Sequence, residues 1–270
     1  MNNQATVDKM AQVWQSLSDL CAPFTEREWN MPTACPGWSV QDQISHMLGS
    51  EERLLGRPMP EHTPRDTSYV KNDIGQRNEI VVDWRRSWSG AQVLEAFRQV
   101  THERLGILRA MRDEDFAAQT QTPIGPGTVS DLLQIRILDA WVHEQDIRRA
   151  VEQPGHMQGT VVEHAVGRIA MALPFVIGRK VKPADDTTVI FEITGAAGRT
   201  VAVTMQGGRA KVLDSVPASS QVRLSMDVDT FMGLGCGRFS PAEVLSSGKV
   251  QISGDTALGT TIVEQMNIMI

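Results

Sequence analysis

The hydrophobic period of this chain changes once, across the segment 153–159, which carries Pro154, Gly155 and Gly159. Upstream, apolar residues recur at helical spacing over about 4–20, 39–55, 89–111 and 129–151, with a further helical stretch over 71–86. Downstream, 188–193, 200–205 and 222–226 are short, β-branched and largely alternating, which is the pattern of strands. A chain with one such switch folds as two bodies: a helical domain over 1–153 and a mixed domain over 160–270.

The four long upstream helices predict an up-and-down four-helix bundle. Pro58, Pro60 and Pro64 make the connection after the second helix an extended crossing loop. In the second half the strands predict one antiparallel sheet in an α+β domain. Gly207-Gly208 and the Gly195/Gly198 pair mark hairpin turns. Short helices near 227–235 and 240–247, a strand at 249–253 and a last helix opening at Asp255 complete it.

Composition excludes several classes of function. The chain has 26 basic and 32 acidic side chains, a formal charge of −6, and no basic run, so no nucleic-acid partner is expected. Three scattered cysteines, Cys21, Cys35 and Cys236, form no disulfide framework and fit a reducing cytosol. Residues 1–8 carry neither a basic nor an apolar leader, so no export signal is expected. The most apolar long segment, 161–177, contains Glu163, His164 and Arg168 and reads as a core helix rather than a membrane span.

One helix carries an unusual polar column. With Leu132 at 0° and about 100° per residue, Asp139 falls near 340°, His143 near 20°, Arg136 near 40° and Asp146 near 320°. Leu133, Ile135, Ile137, Leu138, Trp141, Val142 and Ile147 cover the other directions, so the helix is buried and its column faces the interior or a cleft. Buried charges must be paired or metal-bound. Two readings follow: an ion-pair ladder of Arg136, Asp139 and His143, or a metal site in which Asp139 and His143, four apart, share an ion with a ligand from another helix.

His46 is the candidate for that ligand. It follows the capping signal Ser39/Asp42 and lies about 135° from the centre of its helix's apolar stripe, beside Ser50 and Arg53. Such a residue is either solvated or a ligand, depending on what its face meets. His62, His102, His156 and His164 read as structural or solvated. Cys35, in the turn before this helix, is either a plain loop cysteine or a thiol near the cleft.

The stretch Thr33-Ala-Cys-Pro-Gly-Trp-Ser-Val-Gln-Asp-Gln-Ile-Ser-His46 resembles the T-x-C-P-G-W-S/T-V-x-D-x-x-x-H opening of the mycothiol-dependent maleylpyruvate isomerase family. Leu138-Asp-Ala-Trp-Val-His143-Glu-Gln-Asp146-Ile-Arg148 is similar to its E-x-W-V-H-x-x-D-I-R motif. The segments 236–245 and 248–255 resemble its C-terminal domain, which is related to sterol carrier proteins. The resemblance implies a DinB-like bundle followed by a sterol-carrier-like domain. It also implies a divalent metal, usually zinc, held by His46, Asp139 and His143. Aspartate stands where the family has glutamate, shortening the reach by one methylene. Arg238 corresponds to an arginine thought to face the family's active site, where its guanidinium would fork onto a substrate carboxylate.

The function expected from this resemblance is activation of a low-molecular-weight thiol, mycothiol, as thiolate for transfer or addition to a small electrophile, including cis–trans isomerisation. Two rivals use the same residues. Two histidines and a carboxylate also suit Fe(II) and oxidation of a thiol. A protein that had lost its metal would instead be a non-catalytic binder of a small ligand.

Overall fold

The computed structural model describes residues 2–269, which divide between Gly155 and His156 into two compact units. Their division lies inside the segment where the period changes.

The first unit contains α1 (Asn3–Cys21), α2 (Glu26–Trp29), α3 (Val40–Leu54), α4 (Asp73–Arg85), α5 (Gly90–Ala110) and α6 (Asp113–Phe116). The hairpin β1 (Gln119–Thr122) and β2 (Gly125–Thr128) then leads into α7 (Val129–Ala150). The helix starts follow from local chemistry. Ser39 Oγ accepts the Asp42 amide while the Asp42 carboxylate accepts the Ser39 amide, and Thr128 and Asp131 repeat this reciprocal cap at α7.

The long helices α1, α5, α3 and α7 pack as a ring in that order. Chain-consecutive α1 and α3 therefore lie across the ring from each other, which differs from the neighbour order of a simple up-and-down array. Long connections on either side of α3 make this arrangement accessible. The core between them holds Val13, Leu17, Ile44, Met47, Leu48, Phe97, Val100, Ile137 and Trp141, each at most 2% exposed. Each such side chain contributes about 1.5–3 kcal/mol of hydrophobic stabilisation.

A close approach sets the position of α4 on α3. A methyl group at Gly49 would stand 2.6 Å from Val81 Cγ2, so the small residue lets the two helices touch. The proline-bearing loop is extended, as expected. It is tied down where His62 Nε2 meets Asp83 Oδ2 at 2.6 Å, Arg65 Nη2 donates to Asp83 Oδ1 at 3.1 Å, and Tyr69 Oη donates to Glu79 at 2.7 Å.

The second unit opens with α8 (Thr160–Ala170), α9 (Leu173–Phe175) and a π-helical turn (Val176–Val181). The stretch Thr160–Val181 is long and apolar enough to cross a membrane by length and composition, and half of it is buried within the protein. Then follow β3 (Thr188–Thr194), β4 (Arg199–Gln206), β5 (Arg209–Val212), β6 (Val222–Asp227), α10 (Val228–Gly235), α11 (Pro241–Ser246), β7 (Gln251–Gly254) and α12 (Thr256–Glu264).

The strands form one sheet in the order β5-β4-β3-β6-β7. Gly207 and Gly208 both have positive φ, 59° and 72°, which is what a two-residue turn between right-twisted strands requires. The sheet is antiparallel at three of its four pairings, but β3 and β6 run parallel, with Phe191 opposite Leu224. That central pairing corrects the expectation of a wholly antiparallel sheet. After β5 the chain crosses back over β4 and β3 through 213–221, and so enters β6 in the direction of β3.

Candidate metal centre

Each side chain of the centre is placed by a different local rule. On α7, residues 139 and 143 are one turn apart and so share a face. On α3, the capping box fixes the first turn, which brings His46 to the seam with α7. His46 and His143 are 5% and 7% exposed. His46 Nε2 stands 3.3 Å from Asp139 Oδ2, and His143 Nε2 stands 3.4 Å from Asp139 Oδ1. The three donor atoms all lie within 4.8 Å of one another. His46 is thus a buried residue facing α7.

The ion-pair ladder is present as well. Arg136 Nη1 pairs with Asp139 Oδ2, and Arg136 Nε donates to Glu51 Oε1 at 2.9 Å, while Arg104 Nε reaches Glu51 Oε2 at 3.2 Å. On the far side of His143, its Nδ1 lies 3.7 Å from Asp146 Oδ2, and Arg149 Nη1 donates to Asp146 Oδ1 at 3.3 Å. Asp139 therefore has a guanidinium beside it and two imidazoles in front of it.

These neighbours separate the protonation states of the two histidines. Burial, then the charges of His143 and Arg136, lower the His46 imidazole to about 4 against the pull of Asp139, so it is neutral at pH 7. Burial also disfavours a charge on His143, but the Asp139 and Asp146 carboxylates outweigh it and hold the ring well above the usual histidine range. Burial alone would raise Asp139. Arg136 and the two imidazoles instead hold it well below the usual carboxylate range, fully ionised.

The donor set suits a divalent cation. Donors on one ion at about 2.1 Å stand about 3.4 Å apart in a tetrahedral arrangement, and each imidazole Nε2 stands at that spacing from an Asp139 oxygen, His46 from Oδ2 and His143 from Oδ1. The residues fit, and the shorter aspartate reaches both imidazoles because α3 and α7 pack directly together.

Two neighbours were given too little weight by the sequence. The Trp38 ring lies 5.2 Å from the His46 ring and 6.0 Å from that of His143, forming an apolar wall, and its Nε1 donates to the fully buried Glu79 at 2.9 Å. Its place just before an N-cap was the available signal. Cys35 is no plain loop residue: its thiol lies 3.5 Å from Asp146 Oδ2. Arg238 belongs to the second unit, after α10, where its Nη1 donates to the Cys236 carbonyl at 3.0 Å.

Comparisons with known proteins agree with this architecture. Residues 10–148, more than half the chain, match the mycothiol maleylpyruvate isomerase N-terminal domain, and residues 177–266 match the SCP-2 sterol transfer family. The crystal structure of a mycothiol-dependent maleylpyruvate isomerase is similar over 94% of this chain and 93% of that one, with TM-score 0.59 and 14% identity. A histidine-to-alanine variant of such an enzyme is similar over the same shares, with TM-score 0.57 and 13% identity. At these identities the likeness establishes the fold. No curated protein sequence matches the chain. On the evidence of its two domains in this order, the chain belongs to the mycothiol-dependent maleylpyruvate isomerase family.

Proposed function

We propose that this protein is a metal-dependent enzyme that activates a low-molecular-weight thiol, mycothiol, for addition or transfer to a small electrophile. The observation that carries this reading is the convergence of His46 Nε2, Asp139 and His143 Nε2 within 4.8 Å. Two imidazoles and a carboxylate suit zinc, and three protein ligands leave a position for an exogenous thiol.

When bound there, a divalent cation favours thiolate over thiol and so supplies a nucleophile at neutral pH. The chain's own residues do the rest. His46 offers a neutral ring and Asp139 a permanent negative charge, fixed in orientation by Arg136. Trp38 walls the two imidazoles and limits water. The Arg238 guanidinium is assigned to a substrate carboxylate. Reversible addition of a thiolate to an activated cis double bond leaves a single bond free to rotate, and elimination of the same thiolate then gives the trans isomer. The helical unit is the metal-binding domain of this reading, and the second unit is its sterol-carrier-like companion. The reaction is assigned to the cytosol, in keeping with the three scattered cysteines of the sequence.

The test is turnover of a cis-configured, carboxylate-bearing enone with mycothiol as co-substrate, before and after chelation of the metal. Loss on chelation and recovery on zinc addition supports the reading, whereas thiol-dependent turnover that survives complete metal removal contradicts it. Recovery with Fe(II) alone, with oxygen consumed, would favour thiol oxidation.

A further inference from the structure

Most arginines of the first unit that lie near α3, α4 and α7 have a carboxylate partner: Arg85 pairs with Glu52, Arg86 with Asp42 and Asp83, Arg104 and Arg136 with Glu51, and Arg149 with Asp146. Arg53 and Arg77 do not. Among the described residues neither side chain makes a hydrogen bond or an ion pair, and both residues are exposed.

Helix geometry places these two together. Gln41 Nε2 donates to the Arg85 carbonyl at 2.9 Å and Gly49 abuts Val81, so α3 and α4 run antiparallel with 41 beside 85 and 49 beside 81. One turn beyond the Gly49–Val81 contact, four residues forward on α3 and four back on α4, stand Arg53 and Arg77. Arg53 is seven residues past His46, which puts it about 20° from that residue's direction and about 10 Å along the same face. Its guanidinium lies in the field of Arg136 and Arg77, opposed by Glu51 and Asp139.

Arg136 supplies a further donor. Its Nε and Nη1 are taken by Glu51 and Asp139, but Nη2 is buried with no hydrogen-bond partner among the described residues. A buried guanidinium N–H without an acceptor is costly, and two unpaired guanidiniums side by side repel each other. One anion relieves both conditions.

We propose that Arg53 and Arg77, with Arg136 behind them, form an anion subsite beside the candidate metal centre that binds a carboxylate of the electrophilic substrate. Placing that carboxylate next to a reacting centre rests on the proposed function above, whereas the binding itself does not. The substrate class that follows is an organic acid with a carboxylate a few bonds from its electrophilic carbon. Guanidinium forks bind carboxylates and phosphates alike, so the choice of a carboxylate rests on the electrophile of the proposed function, and inorganic phosphate is the competing ligand in the test.

The experiment is a calorimetric titration of the full chain with succinate, inorganic phosphate and neutral succinamide, using wild type, Arg53→Gln and Arg77→Gln, each metal-free and zinc-loaded. Both substitutions are at exposed positions, and thermal unfolding checks that the variants fold. Succinate binding to the wild type, weakened about tenfold or more in either variant and absent with succinamide, supports the subsite. Succinate binding unchanged in both variants overturns it. Phosphate binding as tightly as succinate, with the same loss in both variants, overturns the carboxylate assignment. If the wild type takes up no zinc yet binds succinate through Arg53, the metal reading fails and the subsite stands. If zinc loads normally and succinate ignores Arg53, the subsite alone fails.

Discussion

His46 Nε2 and Asp139 Oδ2 lie 3.3 Å apart across 93 residues of sequence, joining the second long helix of the ring to the last. Neither residue is explained by its own helix. His46 lies off the apolar stripe of α3, and Asp139 is one of four ionisable residues stacked on one face of α7. Their meeting accounts for both.

Removing the carboxylate separates the metal role from the ion-pair role. Asp139→Asn keeps the side-chain shape but loses the charge that attracts a cation. Zinc affinity should fall about 100-fold or more, beyond the roughly 10–100-fold that loss of a supporting outer partner costs. Asp139→Ala also leaves Arg136 Nη1 buried without its partner. It should therefore lower the stability of the metal-free protein by about 1–3 kcal/mol. A zinc titration and a denaturant melt measure the two effects.

Protonation of the centre gives a pH prediction. His143 is held well above the usual histidine range by Asp139, so without metal it carries a proton at pH 7 that a metal ion must displace. His46 is already neutral, being lowered to about 4 by burial. Zinc uptake near pH 7 should therefore release close to one proton, and affinity should rise with pH until His143 deprotonates. Calorimetry in two buffers of different ionisation enthalpy counts the proton. Release of none would mean that His143 is not a ligand.

The sequence showed these residues because the helix itself demanded an explanation. Ionisable side chains at 136, 139, 143 and 146 stacked on one face of a largely buried helix need partners, and a 3.6-residue period reveals that shared face directly. Helix ends were legible for a similar reason, since Ser39/Asp42 and Asp255 carry their caps in local chemistry. What could not be read was non-local. The parallel β3–β6 pairing depends on where 213–221 crosses, and the ring order of the long helices depends on how their connections travel. The β1–β2 hairpin is built from polar Gln-Thr repeats and Gly-Pro, which carry no hydrophobic period. Trp38 was visible as a turn residue, but its contact with both imidazoles depends on the fold.

The approach of α3 to α4 gives a packing prediction. Gly49→Ala places a methyl 2.6 Å from Val81 Cγ2, so the helices must part. A cost of about 1–3 kcal/mol is expected from overpacking, and Val81→Ala in the same chain should recover part of it. Thermal or urea melts of the single and double variants test this.

The three cysteines should differ in reactivity. Cys21 is 1% exposed, and burial followed by the charge of Glu144 pushes its thiol far up, while Cys236 is 2% exposed. Cys35 is only half-buried. Brief alkylation of the folded protein followed by peptide mass spectrometry should find the label on Cys35 and leave Cys21 and Cys236 unmodified.

The most direct measurement is elemental analysis of the protein as purified and after supply of zinc, with His46→Ala treated identically. One equivalent of metal in the wild type, and its loss from the variant, is the result expected if His46, Asp139 and His143 share an ion. Equal metal in both proteins, or none in either after zinc is supplied, would contradict it.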